Sequence, residues 1–347
     1  MPDVEIRLYS VADLRDYLID NKPVAGLNEC LISTARAYAI LNNPYVEDND
    51  HVVCAIFEHG TLAAYTAAFA DMVSDHKVWW FTTLWCHPEY RGKGYGLIAI
   101  GSLAEEYGEG NFFDMWGAKE TVEIFRYLGL KEKYFPEYHL WRNAIRGQGV
   151  RGYAGYLIRQ LKLIYGRVSN VKARPSSYDV VKCTSFIDNE TYAFMRRHSK
   201  DYLFFRSREM FNWILSHHFV FANPLSDKTT VQNVFSGEER EYVLMAVKVL
   251  VKGEIKGVFI FRQNAREFAI KYIYYDHDWS DVVFRAIVDM SEYYKKEQFS
   301  TRDRNLFQYV RSKYIYSLEN EEQISFSCPG TFESDGNSQA GDGDGWV

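Results

Sequence analysis

Short apolar segments, several of them alternating with polar residues, follow one another along the first 145 residues of the chain. Glycine or polar turns separate them, as between consecutive strands and helices. This pattern predicts strands at 4–9, 52–57, 62–70, 77–86, 112–116 and 137–142, the last of which closes the domain. It predicts helices at 11–20, from the end of a glycine loop to about residue 107, and at 120–128.

The second part of the chain repeats this order with little residue identity. Strands are predicted at 242–251, 255–262 and 268–275, and helices at 280–296 and 305–313. A repeated order of elements is the sign of one fold used twice. We therefore expect an α/β (α+β) protein with domains at 1–145 and 178–326, each a mixed, mostly antiparallel sheet flanked by helices.

The segment between the two domains has a composition of its own. Residues 146–177 contain seven basic and no acidic side chains, with glycines at the start and a Pro-Ser-Ser exit. We interpret the segment as a linker with a helix, and the alternative is a basic amphipathic contact with an anionic membrane through 151–174. From residue 327 the chain is rich in Gly, Ser and Asp, which predicts a disordered tail at 327–347.

Overall composition narrows the possible functions. The net charge is −6, which argues against a nucleic-acid binder. No apolar run reaches the ~20 residues needed to span a bilayer, and the amino terminus does not resemble a signal peptide. The five cysteines are odd in number and widely spaced, without a Cys-x-x-Cys, so we expect a reduced cytoplasm and no zinc site.

The most informative segment reads His87-Pro88-Glu89-Tyr90-Arg91-Gly92-Lys93-Gly94-Tyr95-Gly96. A strand leads into three alternating glycines, and a helix follows them. Small residues let a ligand approach the backbone, and the amides at a helix amino terminus attract anions. With Arg91 and Lys93 adding positive charge, the segment predicts a pyrophosphate cradle.

Two other phosphate-binding loops fit this segment poorly. A dinucleotide-binding loop needs a third glycine where Leu97 stands, and a P-loop needs Ser or Thr after Gly-Lys, where Gly94 stands. The pattern that remains is Arg-x-x-Gly-x-Gly, met by Arg91, Gly94 and Gly96.

With these residues the sequence resembles the GNAT superfamily of acyltransferases over about residues 4–145. The resemblance implies two GNAT-like domains in tandem, and an acyl-coenzyme A, chiefly acetyl-coenzyme A, as co-substrate without a metal. In that family the loop amides hold the pyrophosphate and the preceding strand pairs with the pantetheine arm. The implied cofactor-binding residues are Leu84, Trp85, Cys86, Arg91, Gly92, Lys93, Gly94, Tyr95, Gly96 and Phe125.

The catalytic residues of the family do not carry over to this sequence. The resemblance places Phe125 where the family often has a Tyr that protonates the departing thiolate, and phenylalanine has no proton to give. It places Trp80 where many members have a Glu as the base. His87, Asp114 and Tyr127 remain as candidates, of which His87 also fits a structural role in the loop.

The second domain lacks the glycine loop. At the corresponding place stands Asp276-His277-Asp278, whose carboxylates would repel a pyrophosphate. These residues are interpreted as helix capping rather than a metal site. The segment 204–213, Phe-Phe-Arg-Ser-Arg-Glu-Met-Phe-Asn-Trp, is similar to an element of tandem acyltransferases in which one half binds the acyl donor and the other shapes the acceptor pocket.

The resemblance therefore implies an N-acyltransferase, with an amino sugar or another small polar amine as acceptor between the two domains. A non-catalytic acyl-coenzyme A binder is the main alternative, because the family's Tyr and Glu are missing. A tandem aminoacyl transferase that uses transfer RNA is a second alternative, which the intact loop and the acidic balance disfavour.

Overall fold

The computed structural model describes the chain at residues 3–20, 22–27, 34–73, 76–108, 110–115, 117, 119–141, 180–217, 243–313 and 318–329, and at 332, 336, 338, 339 and 342. The first half contains β1 (Val4–Ser10), α1 (Val11–Leu18), α2 (Thr34–Leu41), β2 (His51–Glu58), β3 (Thr61–Val73), β4 (His76–Cys86), α3 (Tyr95–Tyr107), β5 (Phe112–Met115), α4 (Lys119–Tyr127) and β6 (Lys131–Trp141). The second half contains β7 (Val180–Thr184), α5 (Asn189–Arg197), α6 (Arg208–Ser216), β8 (Val243–Val251), β9 (Glu254–Gln263), β10 (Glu267–Tyr275), α7 (Ser280–Tyr294), β11 (Gln298–Thr301), α8 (Arg304–Lys313) and β12 (Leu318–Cys328).

The two halves have the same order of strands and helices, which confirms the repeat predicted from the sequence. Their strands form one 12-stranded sheet in the order β1-β2-β3-β4-β5-β12-β6-β11-β10-β9-β8-β7. Most neighbours are antiparallel, and β4–β5 and β10–β11 are the parallel pairs. Each strand of the first half has a counterpart in the second half that lies equally far from the opposite edge of the sheet. The two halves are therefore related by a pseudo-twofold axis between β6 and β12.

The last strand of each half is exchanged across this axis. The sequence predicts that the strand at 137–142 closes the first domain, but β6 is longer and pairs with β11 and β12 of the second half. In return, β12 pairs with β5 of the first half. The two predicted sheets are therefore joined through strands that each half lends to the other.

A β-bulge occurs at the same place in both halves. The extra residue is Thr82 in β4 and Lys271 in β10, and each lies four residues before the end of its strand. The parallel partners β5 and β11 pair with the segment just before the bulge. Position by position, Leu84 of β4 therefore corresponds to Ile273 of β10.

Both halves contribute to one of the hydrophobic cores. In it, Phe69 and Trp80 of the first half pack with Phe211 and Tyr272 of the second half. Two further cores lie under α3 in the first half and under α7 and α8 in the second half. The two halves are therefore joined by a common hydrophobic core as well as by the sheet.

Several described residues of the predicted disordered tail at 327–347 are buried against the rest of the chain. Asp342 is fully buried, Ser338 and Gln339 are at most 5% exposed, and the Phe332 ring stacks on Phe204 at 5.7 Å. These residues find their partners in distant parts of the chain, which a composition-based prediction cannot include.

The predicted linker at 146–177, with its alternative membrane contact through 151–174, lies outside the described residues. In the described part of the chain, no helix is both long and apolar enough to cross a membrane.

Lys271 at the second bulge gives a prediction for stability. Burial lowers the pKa of Lys271 to about 7, whereas in the unfolded chain it is about 10.4. Between these values the unfolded state binds more protons, so stability rises with pH. Between pH 7 and pH 9, the titration of Lys271 should raise the free energy of unfolding of the wild type by about 2 kcal/mol. We expect Lys271→Met to lack this increase.

Urea unfolding at both pH values measures this difference. Lys182→Met is the matched control, because Lys182 is an exposed lysine on β7. Equal pH slopes in wild type and Lys271→Met would contradict the prediction.

Candidate functional site

Strands β4 and β5 separate at the bulge and open a cleft. They are paired at Trp79 with Phe112 and at Trp80 with Phe113. After Thr82, β4 continues along β3 as far as Cys86. Within the described residues, this last part of β4 has no strand on its other side, so its backbone edge can pair with an extended ligand.

The glycine loop lies at the end of this cleft. Gly92 and Gly94 have φ values of +83° and +85°, which other residues rarely adopt. A Cβ at either position would meet nothing within 4 Å. Gly94 is the N-cap of the 13-residue helix α3, and no side chain caps that end. The loop therefore offers an open approach to uncapped amides at the positive end of a helix dipole.

The two cations of the loop have different surroundings. Lys93 donates to the Glu58 carboxylate at 2.8 Å and lies over the Tyr90 ring. The hydrogen bond with Lys93 lowers the pKa of Glu58, so this pair stays ionised and nearly neutral as a whole. Arg91 is exposed and donates from Nε to the Cys86 carbonyl at 3.4 Å. Of the two cations, Arg91 is the better placed to add net positive charge for a phosphate.

The other cofactor-binding residues predicted from the sequence line the cleft or support it. Leu84, Trp85 and Cys86 are half-buried along the open edge of β4. Tyr95 lies buried in the first turn of α3. Gly96 faces β4 so closely that a Cβ there would come within 3.2 Å of Cys86 Sγ.

Phe125 on α4 is fully buried, and its ring lies 5.2 Å from that of Phe81. It belongs to the core of the first half and does not line the cleft.

The three candidate catalytic residues lie in different surroundings. His87 caps the 3-10 turn Pro88–Tyr90, its Nδ1 accepts from the Glu89 amide at 3.3 Å, and its ring packs on Trp85. Asp114 is 6% exposed on β5, beside Gly117. Tyr127 is 78% exposed at the end of α4. The structure does not bring these three side chains into one group.

Side chains of the second half enclose Trp80, which stands where the resemblance places the family's catalytic Glu. Trp80 is fully buried, donates from Nε1 to Asp71 Oδ2 at 3.1 Å, and meets the Phe204 ring edge-on at 5.1 Å. Arg206 donates to the same Asp71 carboxylate at 2.8 Å. The segment 204–213 thus packs against the first half, with Arg206 at the contact.

Arg36 and Asp71 are residues of this region that the sequence analysis missed. Arg36 on α2 is 4% exposed and donates from Nη1 to the Thr82 carbonyl at 3.3 Å, at the bulge where the cleft begins. A lone arginine in a helix and a lone aspartate in a strand have no local pattern that marks them.

In the second half, β10 and α7 correspond to β4 and α3, but the glycine loop between strand and helix has no counterpart. Both halves have a 3-10 turn after the strand, and Asp276 caps the one at His277–Trp279. The helix then begins nine residues after the bulge, compared with 13 in the first half. The missing four residues correspond to Arg91–Gly94. No group of three or more His, Cys, Asp or Glu placed to hold a metal was found in the described ranges.

Comparison with known proteins agrees with this geometry. Residues 13–120 match the acetyltransferase (GNAT) family. No curated protein matches the chain. Among solved structures, a candidate acetyltransferase from Pyrococcus horikoshii is similar over 96% of this chain and 91% of its own, with 9% identity and a TM-score of 0.50. A tandem GNAT protein from the clavulanic acid biosynthesis pathway aligns with 96% of this chain and all of its own, at 10% identity and a TM-score of 0.48.

The family match covers the glycine loop and the cleft-forming strands β4 and β5. The likeness to the Pyrococcus horikoshii structure shows the fold alone, and it extends over both halves. Residues 13–120 therefore form a domain that matches the acetyltransferase (GNAT) family.

Proposed function

We propose that the chain is an acyl-coenzyme A dependent N-acyltransferase that uses acetyl-coenzyme A and acetylates an amino sugar or another small polar amine. The observation that carries the proposal is the open cradle at Gly92 and Gly94, beside the unpaired edge of β4. The cradle would take the pyrophosphate, and the amides from Leu84 to Cys86 would pair with the pantetheine arm. The same amides would polarise the thioester carbonyl for attack by the amine.

The first test is the stoichiometry of binding. We expect calorimetry to show one molecule of acetyl-coenzyme A per chain, because the second half lacks the four residues that form the cradle. Two equal sites would contradict this assignment, and no binding would overturn the proposed function.

The second test is turnover. Release of coenzyme A is measured with a panel of amino sugars, amino acids and polyamines at fixed acetyl-coenzyme A. A positive result requires that release depends on the acceptor and that the acetylated amine accumulates in equal amount. Hydrolysis of acetyl-coenzyme A without acceptor gives the background rate.

A non-catalytic acyl-coenzyme A binder is the second candidate function. The burial of Trp80 favours it, because the place of the family's base holds a side chain that cannot accept a proton and is closed off by Phe204 and Arg206. Full binding with no acceptor-dependent release across the panel would select this candidate.

A further inference from the structure

The cleft of the second half is partly filled by Gln339 of the predicted tail. Gln339 Oε1 accepts a hydrogen bond from the Ile273 amide at 2.7 Å. Ile273 corresponds to Leu84, whose amide lies on the open edge of β4. The tail therefore occupies in the second half the position at which the proposed function places pantetheine in the first half.

Beside Gln339 a cavity of about 290 Å³ remains between β10 and the amino terminus of α8. Ser338 and Gln339 form one wall of it, and Lys271 and Arg302 line it as well. Arg302 donates from Nη1 to Ser338 Oγ at 2.6 Å and to the Gln339 carbonyl at 3.2 Å. The tail is thus held by polar contacts on both sides of the cleft.

The tail next makes a turn that ends on Arg206. The Gln339 amide donates to Asp342 Oδ2 at 2.7 Å, and the Asp342 amide donates to the Gln339 carbonyl at 3.0 Å. Asp342 Oδ1 accepts from Arg206 Nη1 at 2.9 Å. Asp342 and Arg206 are both at most 1% exposed. A buried carboxylate without a cation beside it would be unfavourable, so Asp342 needs Arg206 as its partner.

Arg206 connects this turn to both halves of the molecule. Its Nε donates to Asp71 beside Trp80, and its Nη1 also donates to the Tyr272 hydroxyl at 3.0 Å. Trp80 lies two residues before the bulge at which the first cleft opens. A shift of Asp342 would therefore be transmitted through one guanidinium to the wall behind the proposed reaction site.

We infer that Ser338, Gln339 and Asp342 act as an intramolecular ligand of the second cleft, and that Asp342 is a positioning residue for acyl transfer through Arg206. The inference rests on the proposed function for its effect on turnover. Binding of acetyl-coenzyme A to the first half does not need the tail, whereas acceptor binding and transfer do.

Point variants of the full chain test the inference. Asp342→Asn and Gln339→Ala are expected to leave the Kd for acetyl-coenzyme A within threefold of wild type. They should lower kcat at least tenfold and raise the KM for the acceptor, with circular dichroism unchanged. Asp20→Asn, which changes an exposed aspartate just after α1, is the matched control and should leave all three constants unchanged.

A truncated chain gives a second arm. A chain that ends at Cys328 should bind acetyl-coenzyme A with reduced turnover, and a synthetic peptide of residues 329–347 should restore kcat, whereas a scrambled peptide should not. Unchanged kcat in the truncated chain, or a loss in Asp342→Asn that only follows the folded fraction, would overturn the inference. If the truncated chain does not fold, the point variants decide.

Hydrogen exchange separates failure of this inference from failure of the proposed function. If no acceptor is turned over, the Ile273 amide should still be protected in wild type and lose at least tenfold protection in Gln339→Ala. Protection that Gln339→Ala leaves unchanged would overturn the inference whatever the activity.

Discussion

Gly94→Trp is expected to weaken binding of acetyl-coenzyme A at least a hundredfold, about 2.7 kcal/mol of binding free energy. The reason is the open space at this residue, where a Cβ meets nothing within 4 Å. An indole there would cover the α3 amides that the pyrophosphate needs to reach. Because Gly94 has a φ of +85°, the variant also has some backbone strain, and calorimetry must be read beside a melting curve.

Gly253→Trp is the control that separates backbone strain from the blocked approach of the pyrophosphate. Gly253 has a φ of +78° and an equally open Cβ position, but it lies in the β8–β9 turn of the second half. It should show the same strain with unchanged affinity. Gly96→Trp should also prevent binding, but it disturbs packing as well because Gly96 lies against Cys86. Affinity of Gly94→Trp within threefold of wild type would show that the loop is not the cradle.

Arg206→Met is expected to have the largest effect on stability, a loss of about 3–5 kcal/mol in unfolding free energy. Arg206 is the shared partner of two buried carboxylates, Asp71 and Asp342. Burial raises the pKa of both carboxyls, and Arg206 opposes this rise. Without Arg206 both must either protonate or remain as unpaired buried charges.

The loss of unfolding free energy in Arg206→Met should be larger at high pH than at low pH. A carboxyl whose pKa is higher in the folded state binds more protons there, so stability falls as pH rises above its unfolded value. Urea unfolding should therefore show a smaller deficit for Arg206→Met at pH 5 than at pH 8.

Adding Asp71→Asn and Asp342→Asn should restore part of the loss. Arg285→Met removes an exposed arginine from its pair with Asp289 and should cost under about 0.5 kcal/mol. A deficit in Arg206→Met that is equal at both pH values would contradict the assignment.

Most of the regular strands could be predicted from the sequence because their signals are local. The hairpin of β2 and β3 combines apolar strands with a turn at His59-Gly60, and both turn residues have positive φ. The glycine loop was equally accessible, since its spacing and its place between strand and helix are continuous in sequence. The repeat also followed from the order of elements alone.

Strand β12 was missed because its first part gives no strand signal, although Ile324–Cys328 alternates apolar and polar residues. Residues 319–323 are Glu-Asn-Glu-Glu-Gln, and all five are exposed. They are held in the sheet by backbone pairing with β6. A polar strand at the middle of a sheet can be recognised only when its partner, almost 200 residues away, is known.

The contact between Arg206 and Asp342 was missed for a related reason. The two residues are 136 positions apart, and each is surrounded by residues that indicate something else. Asp342 stands in an acidic, glycine-rich segment, whose composition is typical of disorder. Burial of such a residue depends on a single distant cation, so no property of the segment itself predicts it.

The exchange of β6 and β12 has a consequence for how the chain is made. On the ribosome the first half emerges with β5 uncovered, because the strand that pairs with it ends at residue 328. Its own last strand, β6, must wait with both edges open until β11 and β12 have been translated. Nascent chains with unpaired strand edges are prone to aggregate. The first half should therefore depend on chaperones until β12 has been translated, and a fragment that stops after β6 should be poorly soluble.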